Sequence, residues 1–427
     1  MKIKNFEQLA TSNSRKKALQ IAEAGLEAID TQKVIKDTVV CKDGFFSIGD
    51  SIHNIKEYQR VLVVGIGKSS FDAAKALEEV AYEKISKGII LDVRGGKLQK
   101  IESLVGDHPF PSEKNIEHTK KIISLLKTTD ENDLVIFIIS GGGSSLLCQP
   151  DKMICQNEVD LAHHLFEEGA SIYEMNTVRK HLSLARGGNL VKYAYPAKVI
   201  SLIFSDVPGD DLEFVASGPT YKDSTVIKDA EVILKKYEVD YSNLNLIETP
   251  KDPKYFDKVT NILVASSDKA LEAMAKKARE FNYDIELNQY TCHSCVTGEA
   301  EVIGKQIAKM IGKKPERSAL VFGGETTVKI TGKGRGGRNQ ELALSAIEEL
   351  CQGCTIISLA SDGIDNCSHA GAIVDYKTKI KAQQLGLNIK EYLEDNDSCG
   401  FFESTKDHIL TGYTGSNVAD LIIAIKD

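Results

Sequence analysis

Nowhere in these 427 residues is there a run of about 18 apolar residues, so no helix is expected to span a membrane. An excess of positive charge is also missing. The formal net charge is −8, which excludes the basic footprint that nucleic acid or an anionic membrane selects, and neither partner is expected. The opening MKIKNFEQLATSNSRKK lacks the apolar core of a secretory signal, and the expected location is cytoplasmic. Nine cysteines, an odd number in a long chain, argue against a disulfide framework. Two CxxC pairs stand out, Cys292/Cys295 and Cys351/Cys354, but the spacing between them is about three times that of a compact zinc ribbon. They are read as ordinary thiols. Internal repeats are absent, and the histidines form no triad, although His108 in GDHPFP and His181 in RKHLS sit in unusual company.

What is present is an alternation of short apolar runs with amphipathic stretches, the pattern of a βαβ architecture. The length suggests more than one core. The pattern predicts a helix over 15–29, a strand VLVVG (61–65), a helix from 71 to about 86, and a strand GIILDV (88–93). A helix follows over 112–127 with Ser112 as N-cap, then the most apolar strand, LVIFII (134–139), which reads as buried on both faces. VISLIF (199–204) is the next strand. Between 237 and 259 the pattern weakens into polar sequence with two prolines, so a boundary is placed near residue 250. The expected domains are therefore 1–250, Rossmann-like with a mostly parallel sheet, and 251–427, also α/β. In the second, NILVAS, YDIELN, ALVFGG, TTVKI and TIISLAS read as strands, with helices over about 268–282, about 299–311 and from 339; the tail reads as a strand or a short helix.

The unusual loops follow strands, where open parallel sheets bind ligands. GIGKSS supplies Gly65, Gly67, Lys68, Ser69 and Ser70; it has two glycines of a dinucleotide fingerprint, but Ser70 replaces the third. Lys68 beside a helix N-terminus suits charge developing on a phosphoryl oxygen. SGGGSS (Ser140, Gly141, Gly142, Gly143, Ser144, Ser145) offers backbone that wraps an anion, and is not a Walker A loop. SDVPGDD, with Asp206, and SDGID, with Asp362 and Asp365, are carboxylate-bearing loops that suit Mg²⁺ or form simple acidic turns; Glu325 in GGETT is a further strand-end acid. GKGRGGRNQE places Lys333, Arg335 and Arg338 among glycines that include Gly336 and Gly337, directly before a helix, an arrangement suited to phosphates. Arg179 in TVRKH suits a substrate carboxylate through a bidentate fork.

Taken in order, GIGKSS, GDHPFP, SGGGSS, MNTVRKHLS with ARGG, SDVPGDD, ASGPT, GGETTV, GRGGRNQE, DGID and the tail TGSNVADL resemble the type-2 glycerate kinases, whose C-terminal part carries the name MOFRL. The resemblance runs from about residue 15 to the end. It implies an α/β enzyme that uses ATP and a divalent metal, Mg²⁺, to phosphorylate D-glycerate at its 2-hydroxyl in a cleft between two domains. It also implies a catalytic role for Lys68 and for an arginine within GRGGRNQE, assigned to Arg338 with Arg335 as the alternative. Three departures stand out: Asn366 replaces the last glycine of DGIDG, Tyr413 replaces a proline, and SSD (266–268) replaces a GSN-like turn. The competing readings are an NAD(P)-dependent hydroxypyruvate reductase, suggested by GIG and Asp92, and a phosphosugar-binding module.

Overall fold

A computed structural model describes all residues except 43–44, 50, 152–154 and 287–295. The Cys292/Cys295 pair lies outside the described residues. The chain divides into two compact units, Thr31–Val264 and a discontinuous one made of Met1–Asp30 with Ala265–Asp427. Among the described residues no helix is long and apolar enough to cross a membrane.

The Thr31–Val264 unit begins with a small antiparallel sheet of β1 (Val39–Lys42), β2 (Phe45–Ile48) and β3 (Ser51–Asn54). Its main sheet contains β4 (Arg60–Ile66), β5 (Ile85–Asp92), β6 (Ile101–Val105), β7 (Asp133–Ile139), β8 (Lys198–Phe204) and β9 (Val259–Ala265). The spatial order is β6-β5-β4-β7-β8-β9, which is 3-2-1-4-5-6 when the six strands are counted along the chain. β4 pairs in parallel with both β5 and β7, β5 with β6, and β7 with β8. This is the Rossmann order, and its switch point lies between β4 and β7. Every residue of β7 is buried, as its unbroken apolar run predicts.

Two local expectations change. The helix after β4 spans Ser70–Ala81 and stops short of Ser86, which lies inside β5. Ser86 there accepts the Val61 amide through its hydroxyl (3.1 Å), so it serves the sheet and not the helix. Ser112 precedes the helix Glu113–Leu126 in extended conformation but makes no side-chain cap; its hydroxyl donates to Asp107 Oδ2 (2.6 Å) instead.

The second unit is built on β10 (Asp284–Glu286), β11 (Val296–Glu299), β12 (Ser318–Thr327), β13 (Cys354–Ala360), β14 (Gly371–Asp375), β15 (His408–Ile409) and β16 (Asp420–Lys426). β10 and β11 pair in parallel with opposite ends of β12, and the remaining pairings, β12/β16, β16/β13, β13/β14 and β14/β15, are antiparallel. ALVFGG and TTVKI, expected as two strands, give one, because β12 runs unbroken to Thr327 and VKI lies outside it. The tail resolves as a strand, β16, at the centre of the sheet.

The first thirty residues pack with this unit and not with the one expected from their place in the chain. The reason is the apolar stripe of the helix Asn13–Ala28: Ala18, Leu19, Ile21, Ala22 and Leu26 are all buried, and Gly25 leaves room for Met274. Arg15 on the same helix is buried as an ion pair with Asp375 (3.0 Å) and Asp407 (2.7 Å). A buried arginine stripped of those carboxylates is costly, so the segment is fixed to this partner.

Candidate active site

At the switch point the loops after β4 and β7 are locked together. Ser140 accepts the Ser69 amide through its hydroxyl (3.0 Å), and the Gly141 carbonyl accepts the Lys68 amide (3.0 Å). Gly67 has φ +113°, and a Cβ there would collide with the Ser140 carbonyl and hydroxyl. Glycine is required at this crossing for both reasons. Gly65 is needed for a different one, since a side chain there would overlap Ile90. Lys68 lies half-buried along Gly142, within 3.1 Å of where a Cβ on that glycine would stand, and His108 borders the same spot. Burial, and then the Lys68 charge, push His108 down to about 4, so the imidazole is neutral at pH 7 and does not repel the ammonium. Asn115 ties the segment after β6 to the loop after β7 by donating to the carbonyls of Asp107 (2.9 Å) and Ser145 (3.1 Å).

Three polar groups in this crossing have no internal use. The amides of Gly141 and Gly142 donate no hydrogen bond among the described residues, and Ser69 Oγ is buried without a partner. Native interiors rarely leave a buried group such as the Ser69 hydroxyl unmet, and it lies in the same crossing as Lys68.

The ASGPT segment packs on the same loop. Ala216, Ser217 and Gly218 all have φ between +52° and +60°, a run of left-handed residues that non-glycine side chains disfavour. The strain is held by Gly187 and Gly188 of ARGG, whose amides donate to the Ser217 and Gly218 carbonyls (2.9 and 2.8 Å). Ser217 also bonds Asn176 Oδ1 (2.9 Å) and lies 2.8 Å from the Ser144 hydroxyl. Gly143 leaves no room for a side chain against Ala216, which accounts for a third successive glycine. Asp206 is half-buried just beyond β8. Arg179, in the last turn of the helix Ile172–His181, is half-buried, and burial followed by Arg186 lowers its pKa. Its neighbours are structural. Lys180 is fully buried between Glu213 and Asp223 (both 2.6 Å), and both His181 ring nitrogens face protein oxygens.

In the other unit, Arg338 opens the helix Arg338–Glu349. Its guanidinium grips Asp420 as a fork, Nε to Oδ2 at 2.5 Å and Nη2 to Oδ1 at 3.1 Å, while Nη1 bonds Glu325. Asp420 is 3% exposed. Burial raises it to about 6 although Arg338 pulls the other way, and the same pair holds Arg338 above its ordinary value. Glu325 is 67% exposed, so the Nη1 edge is the one a solvent-borne anion can reach by displacing a weakly held carboxylate. Arg335 stands apart, 66% exposed, with Nη2 3.3 Å from Glu403.

The helix N-terminus itself is not open to phosphate. Asp365, expected as a metal or hydroxyl ligand, fills it: the Asn339 and Gln340 amides donate to its two oxygens (3.1 and 2.8 Å), and both side chains add further bonds. Gly337 is needed because a Cβ would overlap that carboxylate, and Gly336 because one would overlap Ser398. Both glycines therefore have packing roles. Asp362 uses Oδ1 to accept the Ile364 amide (3.0 Å). Asn366 has φ +57° and donates to the Gly336 carbonyl (2.9 Å). Asparagine tolerates that conformation better than other non-glycine residues, which explains why it can stand in for glycine.

Sequence reasoning missed Asp420, Asn176 and the Ser217 turn as site elements. Asp420 is the first residue of a buried strand, and a charged residue at the head of an apolar run was the available signal.

Comparison with known proteins identifies the family of the chain. The family described as Domain of unknown function (DUF4147) matches residues 17–248, and the MOFRL family matches residues 318–420. The D-glycerate 2-kinase of Thermotoga maritima is 36% identical over 96% of this chain and 98% of its own length. The glycerate 2-kinase of Pyrococcus horikoshii is 33% identical over 96% and 97%. A crystal structure of a glycerate kinase from Thermotoga maritima, 35% identical, superposes with a TM-score of 0.85 and covers 96% of this chain and 99% of that one. With near full-length identity of this order and a shared fold, the chain belongs to the glycerate 2-kinase family.

Proposed function

We propose that the protein transfers the γ-phosphoryl group of ATP to the 2-hydroxyl of D-glycerate, giving 2-phosphoglycerate and ADP. In that step a bond forms between the C2 oxygen and phosphorus as the bond from phosphorus to the bridging oxygen of ADP breaks, and the C2 hydroxyl proton is released to solvent. Phosphoryl transfer asks a protein mainly for alignment and charge neutralisation. The observation that carries the reading is the crossing at the switch point, where Lys68 lies along a glycine loop whose Gly141 and Gly142 amides are unused. We assign Lys68 and the Nη1 edge of Arg338 to neutralising charge on the phosphoryl group, and Arg179 to the glycerate carboxylate. Ser69, Ser140, Ser144 and Ser145 belong to the same phosphate loops, although Ser140 Oγ and the Ser144 hydroxyl are already engaged within the protein.

Mg²⁺ would supply further charge neutralisation on the ATP oxygens. The donor chemistry fits, because Asp206 and Asp362 offer hard carboxylate oxygens in loops that follow strands.

The reductase reading needs Asp92 for a nucleotide ribose. That carboxylate is fully buried and accepts the amides of Phe71 (2.9 Å) and Arg94 (3.1 Å), so it is occupied by the protein itself. The two activities separate in a single comparison. ADP formation from D-glycerate, without nicotinamide oxidation on hydroxypyruvate, supports the kinase; the reverse pattern removes it.

A further inference from the structure

We propose that Cys367, His369, Cys399 and Glu403 form a tetrahedral site for a borderline-soft divalent cation, Zn²⁺ in the first instance. The inference rests on side-chain geometry and does not depend on the catalytic reading. Cys367 and His369 lie in the loop between β13 and β14, and Cys399 and Glu403 are one turn apart on the helix Ser398–Thr405. Residues spaced by four share a helix face, so both reach toward the same loop. The ligand atoms of Cys367, His369 and Cys399 all lie within 4.8 Å of one another. Glu403 Oε1 is 3.7 Å from Cys399 Sγ and 3.8 Å from His369 Nε2, and Cys399 Sγ also lies 3.6 Å from the other ring nitrogen, His369 Nδ1. With Zn–S near 2.3 Å and Zn–N or Zn–O near 2.0–2.2 Å, the edges of a tetrahedron are about 3.3–3.8 Å. Glu403 stands at those separations from Cys399 and His369, and the Cys367 sulfur lies within 4.8 Å of the Cys399 sulfur and of a ring nitrogen of His369.

The surrounding groups suit a metal. Gln340 donates through Nε2 to Cys367 Sγ (3.2 Å), and its Oε1 lies 3.0 Å from His369 Nδ1. With Nδ1–H donated to Gln340, Nε2 presents its lone pair on the side of Glu403, the outer-shell arrangement that fixes a ligating imidazole. Metal binding displaces one proton from each thiol, so two thiolates, one carboxylate and a dication leave one net negative charge. Arg335, 3.3 Å from the other Glu403 oxygen, offsets it. Gln340 also bonds Asp365, so a bound ion would brace the first turn of the helix that begins with Arg338.

The test is an anaerobic titration of the reduced, metal-free full chain with Co²⁺, followed by zinc competition. We expect one Co²⁺ per chain with a thiolate-to-cobalt charge-transfer band and the intense visible bands of tetrahedral geometry, all removed by Zn²⁺. The Cys367→Ser/Cys399→Ser variant should lose the charge-transfer band. Glu403→Gln, at an exposed position that tolerates substitution, should keep that band and shift the visible ones. Gln340→Ala should weaken Co²⁺ binding by about 10- to 100-fold. Absence of a thiolate band in the wild type overturns the proposal. So does a band that survives in the double cysteine variant, which would belong to other thiols such as Cys351 and Cys354. If the double variant fails to fold, unchanged visible bands in Glu403→Gln overturn the four-ligand set.

Discussion

The sharpest consequence of the Arg338 arrangement is what Asp420→Asn should do. The substitution keeps the shape but removes the charge, and it sets an amide NH₂ against one of the two guanidinium nitrogens that now donate to Asp420. Breaking one side of a buried ion pair costs about 3–5 kcal/mol in general. Arg338 is 34% exposed and retains Glu325, and burial makes the Asp420 charge itself costly to the fold, so the net change in stability here should be small. Activity should suffer more. A guanidinium freed to move by about 1 Å loses about 100-fold in rate if it must meet a phosphoryl group. The assay is kcat and KM by coupled ADP release, with a thermal melt to confirm the fold. A pH profile adds an independent readout. Asp420 is raised from 3.8 to about 6 in the folded protein, so acid protonates it and loosens the fork. Wild-type kcat should fall as pH drops through about 6, and that limb should vanish in Asp420→Asn. Stability runs the other way. Because the folded state binds this proton more tightly than the unfolded chain, the contribution of Asp420 falls as pH rises from about 4 to about 6. A variant with wild-type kcat and an unchanged acid limb would refute the role given to the fork.

Three further outcomes are expected. Lys68→Ala should lower kcat by about 100-fold or more with a smaller effect on the KM for glycerate, since its charge is needed most as the phosphoryl group moves; steady-state kinetics on the folded variant decide this. Asp365→Ala should destabilise the protein by about 2–4 kcal/mol, because it removes a helix cap and leaves the Asn339 and Gln340 amides unmet; urea denaturation measures it. Activity should require a divalent cation, and Asp206→Asn or Asp362→Asn should raise the Mg²⁺ concentration for half-maximal rate; unchanged titrations in both would remove these carboxylates as ligands.

Much of this site is legible in the sequence, and the parts that are not share a physical cause. Runs such as LVIFII report burial directly, so β7 can be anticipated from local pattern, and the glycine loops report close backbone approach without saying to what. The reading fails where a residue is used at long range. Asp365 looks like a turn acid until the chain folds it onto amides some 25 residues earlier. Asp420 reaches Arg338 across 82 residues. The same limit hides the attachment of residues 1–30, whose helix is visible but whose partner is not. It also hides Cys367, His369 and Cys399, whose spacing matches no metal motif although folding brings them within reach of one ion.

The central claim is that the phosphoryl group goes to the 2-hydroxyl of glycerate. It is tested most directly by supplying the protein with D-glycerate, ATP and Mg²⁺ and coupling the product to enolase in the absence of a phosphoglycerate mutase. Immediate formation of phosphoenolpyruvate is the predicted result. A strict requirement for added mutase would mean that the product is the 3-phosphate and would contradict the account.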